Sequence, residues 1–173
     1  EGVIWRARGS YKNAASFRVP GESIYNSCFN EMNYSAMAGL IRSWGYTHLH
    51  FSRYDAVIGM VEGERDSLTG QFLTSEGKIL SDKEAGNRIP QYPYQRVRHS
   101  KISSVSNIIH GNSQYRVNIG YQDNRRREYE EEPGGPALWM NLATATIDFR
   151  FTHLFTHGWE LVAGIGGMYQ ENR

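Results

Sequence analysis

The residues able to do chemistry in this chain are few and scattered. Six histidines, His48, His50, His99, His110, His153 and His157, are the obvious candidates for metal or proton work. His48 and His50 are two apart, so on a strand they share a face, and such a pair can hold a metal such as zinc. The same pair serves as a lumen-facing or interfacial polar couple, and that reading is preferred; no metal site is expected. His153 and His157 flank a tight reversal. Ser, His and Asp are all present, but no G-x-S-x-G elbow occurs to expose a nucleophile. Glu62-Gly63-Glu64-Arg65-Asp66 and Asp82 have the charge of a calcium loop without EF-hand spacing. Arg125-Arg126-Arg127 precedes Glu128, Glu130, Glu131 and Glu132, basic then acidic residues that read as a solvated rim at a strand end. No catalytic set emerges, so the chain is not read as an enzyme, and no cofactor is expected.

The elements that carry these residues are strands, and residues 139–169 show it best. In the second half Trp159, Leu161, Ala163, Ile165, Gly167 and Tyr169 share one parity, with Glu160, Val162, Gly164, Gly166, Met168 and Gln170 on the other. In the first half Trp139, Ala143, Ala145, Ile147, Phe149 and Phe151 oppose Thr144, Thr146, Asp148 and Arg150; Asn141 is the exception. A strand shows alternate residues to opposite faces. One face of this hairpin is therefore apolar with aromatic ends, and Asp148, Arg150 and Glu160 lie on the other. Trp159 and Tyr169 are ten residues apart. At about 3.3 Å per residue and a tilt near 45°, that spans roughly 23 Å along a membrane normal. The apolar band of a transmembrane barrel is about 25 Å tall, with aromatic girdles at both edges.

Composition permits this reading. The 173 residues carry a net charge of +1, so no strong field points to nucleic acid,. No apolar run approaches the roughly 18 residues of a helical span. A mean hydropathy of −0.59 does not exclude a barrel, whose alternate residues alone meet lipid,. Tyr (11), Phe (7), Trp (4) and Gly (18) suit strands and tight bends,. Cys28 is the single cysteine, which rules out an internal disulfide and a cysteine metal cluster,. Residues 1–5 do not resemble a signal peptide, so either export is complete or the chain is a piece of something longer.

About seven strands are expected, near residues 3–11, 33–42, 46–60, 95–109, 114–129, 138–153 and 158–171. No stretch keeps a 3.6-residue period with caps, so no helix is expected. The connections run long (12–32), short, long (61–94), short, medium, short. In an antiparallel meander successive turns fall at opposite ends, so all long loops share one end. That is the asymmetry of outer-membrane barrels, and a soluble sandwich has no reason to sort its loops this way.

Several short motifs, in order, resemble one family. They are Tyr11-Lys12-Asn13, Val19-Pro20-Gly21, Asn26-Ser27 with Phe29-Asn30-Glu31, Ser52-Arg53-Tyr54-Asp55 with Ile58-Gly59, Pro93-Tyr94-Gln95-Arg96-Val97, Gly120-Tyr121-Gln122 with Asn124-Arg125, and Gly158-Trp159-Glu160-Leu161 with Gly167-Met168-Tyr169-Gln170. The series is similar to the early barrel of TonB-dependent receptors of Bacteroidetes-type bacteria. The resemblance implies an all-β segment of a 22-stranded transmembrane barrel of the bacterial outer membrane, lacking its plug domain. It implies a function in importing a scarce nutrient such as a ferric siderophore, haem or cobalamin. The implied partners are the remainder of the barrel and the plug, TonB acting through that plug, outer-membrane lipid and lipopolysaccharide, and the small-molecule nutrient. On this reading Arg65, Tyr92, Tyr94, Arg125, Arg126 and Arg127 are the candidate ligand contacts at loops and rim. The arginines serve either an anionic ferric chelate or lipopolysaccharide phosphate, which guanidinium forks suit. Asp148, Arg150 and Glu160 face the lumen, partnered by one another or by the plug. Two alternatives remain: a soluble lectin-like sandwich, and an ungated porin wall.

Overall fold

Alternating residues rich in Tyr, Val, Ile and Thr make strands of most of the chain. The computed structural model describes residues 1–61, 63–74, 76–131 and 134–173. Glu62 of the acidic loop run and Glu132 of the rim lie outside them. Seven long strands, β1 (Gly2–Ala14), β4 (Phe29–Arg42), β5 (Gly45–Gly59), β6 (Tyr94–His110), β7 (Ser113–Tyr129), β8 (Leu138–Leu154) and β9 (Glu160–Asn172), form one sheet in the order β1-β4-β5-β6-β7-β8-β9. Every neighbouring pair is antiparallel. The expected all-β antiparallel meander is what folds. A small hairpin, β2 (Arg18–Val19) with β3 (Glu22–Ser23), stands apart in the first long connection. β6, β7 and β8 are 17 residues each, against the 5–6 usual in globular sheets.

Connections 15–28, 60–93 and 130–137 leave one end of the sheet, and 43–44, 111–112 and 155–159 the other. The short turns need special backbone. Gly45 sits at φ 133°, and a Cβ there would fall 2.0 Å from the Asn107 carbonyl oxygen.

The structure differs from the sequence expectation in three places. β1 and β4 extend past residues 11 and 33 to meet at Ala14↔Phe29. Asn30 Nδ2 donates to Tyr11 Oη (2.8 Å) and Lys12 Nζ to Glu31 Oε1 (3.1 Å), so residues that read as loop are held by cross-strand bonds. Trp159 lies in the turn, its carbonyl accepting from Phe155 N at 2.8 Å, rather than in β9. The expectation of no helix is corrected by α1 (Asp82–Ala85), one turn closed by a capping box: Ser81 Oγ accepts from Glu84 N and Glu84 Oε2 from Ser81 N. A cap defines that turn, not an apolar period, so periodicity misses it.

The sheet itself has no interior. Directly opposite residues share a face, and the registers stack them into rows across all seven strands. Val3, Leu40, Thr47, Ser106, Val117, Phe149 and Ile165 form one row. Trp5, Ala38, Leu49, Ser104, Ile119, Ile147 and Gly167 form the next. Ala7, Ala36, Phe51, Ile102, Tyr121, Ala145 and Tyr169 form the third. None of the three rows holds a charge. At the same level the opposite face carries Arg6, Arg8, Lys101 and Asp148 with His48, His50 and a series of Ser, Asn, Gln and Thr, interrupted by Ile4, Met37, Val105 and Met168. The apolar rows are uncovered: Trp5 is 79% exposed, Ile165 74% and Ile147 54%.

Burial concentrates instead among the long loops, where Tyr25, Asn26, Ser27, Cys28, Phe72 and Ala85 are buried. Asn26 joins the two long connections. Its Nδ2 donates to the carbonyls of Met60 (3.1 Å), Gln91 (2.9 Å) and Pro93 (2.6 Å), and its Oδ1 accepts from Gln91 N at 2.9 Å. Asn26 adopts φ 54°, a left-handed conformation that Asn tolerates better than most residues,. Gly59 passes so close that a Cβ would lie 2.1 Å from the Asn26 carbonyl oxygen. Burial pushes the neighbouring Cys28 thiol above its ordinary pKa, which makes the thiol a quiet reporter of this cap,. Asn26→Ala strands buried backbone groups at a cost of about 1–3 kcal/mol. Alkylation of Cys28 by iodoacetamide is expected to accelerate about tenfold or more in Asn26→Ala and in Gly59→Ala; unchanged rates in both contradict this account of the cap.

Candidate functional site

Three regions of the sheet carry chemistry: the polar face, the loop cap, and the charged rim of the apolar face. The polar face is the odd parity of β4 and β6 and the even parity of the other strands. On it Arg6 and Arg8 of β1, His50 of β5 and Lys101 of β6 line a concavity of about 530 Å³ with Ser35, Ser52 and Ser103. No carboxylate lines it. The volume is that of a small-molecule site, which typically spans roughly 300–1,000 Å³. His48 lies beside it, stacked on Tyr46 at 4.7 Å and edge-on to His50 at 6.1 Å, with its Nε2 buried and unpartnered. The shared face of His48 and His50 is thus as expected. Among the described residues, no group of three or more His, Cys, Asp or Glu side chains is arranged to hold a metal ion.

Asp148, Arg150 and Glu160 also lie on the polar face, but they do not pair with one another. Asp148 accepts from Asn118 Nδ2 at 3.3 Å, Arg150 stands opposite Arg116, and Glu160 opposite Leu154. Their separation follows from register, which parity alone does not give.

The six candidate contacts fall into different places. Arg65 fastens the loop cap: its guanidinium grips Glu22 (Nη1–Oε2 3.0 Å, Nη2–Oε1 3.2 Å), donates to the Gly70 carbonyl at 2.6 Å, and lies 3.9 Å from the Phe72 ring centre. Ser16 N–Ala85 O (3.3 Å) and Arg18–Asp82 (3.6 Å) add to the same union of two loops. Asp66, in the run that resembles a calcium loop in charge, closes a turn instead. Its Oδ2 accepts from the Thr69 hydroxyl (2.7 Å) and amide (2.8 Å), which holds its carboxyl below the usual range.

Tyr92 packs edge-on to Tyr94 at 5.0 Å, and Tyr94 stacks on Tyr129 at 4.7 Å. Tyr92 also lines an acidic loop cavity of about 670 Å³ with Tyr25, Glu64, Glu130 and Glu131. The arginine triplet is split by strand parity. Arg126 points to the polar face and pairs with Glu128. Arg125 and Arg127 share the apolar face's parity, the first bound to Asp123 at 2.7 Å and the second 4.5 Å from the Trp139 ring centre.

Residues to which the sequence reading gave no site role complete that rim. Asp55 is surrounded by Arg53 (3.4 Å), Arg96 (3.6 Å) and Arg98 (3.0 Å). Cross-strand register brings them together, and no local motif announces it. No protein-family model, no curated protein and no solved structure matches the chain.

Asp55→Asn removes the one carboxylate among three guanidinium groups. It is expected to destabilise the protein by about 1–2 kcal/mol at low ionic strength. The loss shrinks in 1 M NaCl, where the screening length falls to about 3 Å. Urea titration at two salt concentrations reads this; a salt-independent effect, or a gain in stability, contradicts it.

Proposed function

We propose that this chain is a wall segment of a TonB-dependent receptor of the bacterial outer membrane, part of a large transmembrane barrel that imports a scarce nutrient such as a ferric siderophore, haem or cobalamin. One observation carries the proposal: three consecutive uncharged rows cross all seven strands on one face, while the other face at the same level mixes the charges Arg6 and Asp148 and polar His, Asn, Ser and Thr with Ile4, Met37, Val105 and Met168. An uncovered apolar surface of that breadth marks contact with another apolar phase. A lectin-like sandwich would need a second sheet over it, and among the described residues the other sheet consists of two two-residue strands. Strand length supports the membrane reading too. About 9–11 tilted residues cross a bilayer, and strands of 13–17 residues have enough to cross and continue beyond it.

In this reading lipid covers the apolar rows and the polar face lines the lumen. β1 and β9 are sheet edges with unpaired backbone groups, which lipid does not tolerate,. Further strands continue the wall on both sides. The loop cap captures the nutrient outside, and rearrangement of a plug, driven by TonB from the periplasm, admits it. The basic concavity of Arg6, Arg8 and Lys101 favours an anionic nutrient or anionic plug side chains on that path.

Adjacent residues of β7 test the proposal. In the full-length protein, Ile119→Arg puts a cation at mid-band and is expected to cost about 2–4 kcal/mol or to abort membrane assembly. Asn118→Arg, one residue away and opposite Asp148, is expected to stay within about 0.5 kcal/mol of the parent. Heat-modifiable electrophoretic mobility and urea titration in vesicles provide the readout. Equal behaviour of the two variants, or a parent protein recovered from the aqueous fraction, overturns the proposal.

A further inference from the structure

The rim of the apolar face has more positive charge than its own carboxylates balance. β6 and β7 set Arg96 directly opposite Arg127 and Arg98 directly opposite Arg125. Like charges in that relation destabilise an antiparallel pair. With Arg53, five guanidinium groups of β5–β7 share this rim with two carboxylates, Asp55 and Asp123, and Glu171 in the same row is taken by Arg173, so that among the described residues the surplus is three positive charges. Among the described residues Arg127 finds no carboxylate on this face, and it lies over Trp139. Arg96, Arg98, Arg125 and Arg127 together line a cavity of about 40 Å³. That is far below the roughly 300 Å³ a nutrient needs, and suits a small oxyanion group.

Its position in the sheet narrows the choice of anion. Arg98 lies four residues from Ile102 in the topmost uncharged row. That is about 13 Å along the strand, or roughly 9 Å along a membrane normal at the usual tilt, the depth of lipid headgroups.

We infer that these four arginines form a clamp for the phosphate groups of an outer-leaflet glycolipid. The inference rests on the membrane reading above and adds a specific lipid partner to it. Guanidinium forks bind phosphate oxygens in pairs, and the anion relieves the repulsion between the two opposed arginine pairs. The acyl chains then lie along Phe51, Ile102 and Tyr121 in the row beneath. Arg126 takes no part, since strand parity sends it to the other face.

The test uses the full-length protein in detergent micelles, titrated with a bis-phosphorylated glucosamine lipid, the same lipid after dephosphorylation, or inorganic phosphate, and read by native mass spectrometry. The parent is expected to retain the phosphorylated lipid, and Arg98→Gln/Arg125→Gln to bind it at least about tenfold more weakly. Arg126→Gln removes one positive charge from the opposite face and is expected to bind as the parent does. Arg98→Lys/Arg125→Lys keeps the charge and loses the forks; several-fold weaker binding is expected, and it serves if the Gln variant does not assemble. Equal retention of the dephosphorylated lipid, equal binding of inorganic phosphate, equal loss in Arg126→Gln, or parent-like binding by the Lys variant each overturns the clamp alone. Parent protein that never enters a membrane overturns the receptor reading with it, and fractionation detects that before any lipid is added.

Discussion

In-register antiparallel pairing is the constraint on which everything else in this molecule depends. It forces residues that face each other across strands onto one side of the sheet, so a single choice of parity in one strand is transmitted to all seven. Val3 and Ile165, at opposite edges of the sheet, share a face because each intervening register leaves no choice. The outcome is a wide sheet whose two sides suit two different media. A sheet with both faces in water could not hold Trp5 or Ile165 at their observed exposure without the cost that normally drives burial. The proposed membrane setting removes that cost by placing lipid where a second layer of protein is otherwise needed.

The loops solve a different problem. Long connections normally surrender hydrogen bonds and order. Here segments 15–28 and 60–93 fold onto each other and build the only densely buried cluster in the described residues. Asn26 supplies what a backbone ladder supplies elsewhere, satisfying Met60, Gln91 and Pro93 from one side chain. Arg65 does the same by charge, linking Glu22 to the turn at Gly70. The cap is therefore held by its own hydrogen bonds and ion pair.

Much of this architecture was legible in the residues, and the limit is physical. Alternation from Trp139 to Tyr169 is a property of one strand and its immediate neighbour, so the sequence displays it. The sorting of connections by length follows from counting. Lateral register is a property of residues far apart in the chain, and with it went the Asp55 cluster, the arginine pairs of β6 and β7, and the separation of Asp148 from Glu160. The triplet Arg125-Arg126-Arg127 reads as one basic patch; strand parity sends its middle member to the opposite side. Asn26 was visible within a motif, yet its partners lie 34 to 67 residues away. The resemblance makes Arg65 a candidate ligand contact, and in the structure its charge is engaged by Glu22.

The most direct test of the two-media claim is a residue-by-residue scan of β7 in a cysteine-free background, with Cys28→Ala in this chain. Single cysteines at positions 117 to 122 carry a fluorescent label, and quenching by brominated lipid is compared with quenching by aqueous iodide. The account predicts a strict two-residue alternation, with 117, 119 and 121 quenched from the lipid and 118, 120 and 122 from water. Six positions quenched alike, or quenched by iodide throughout, contradict it.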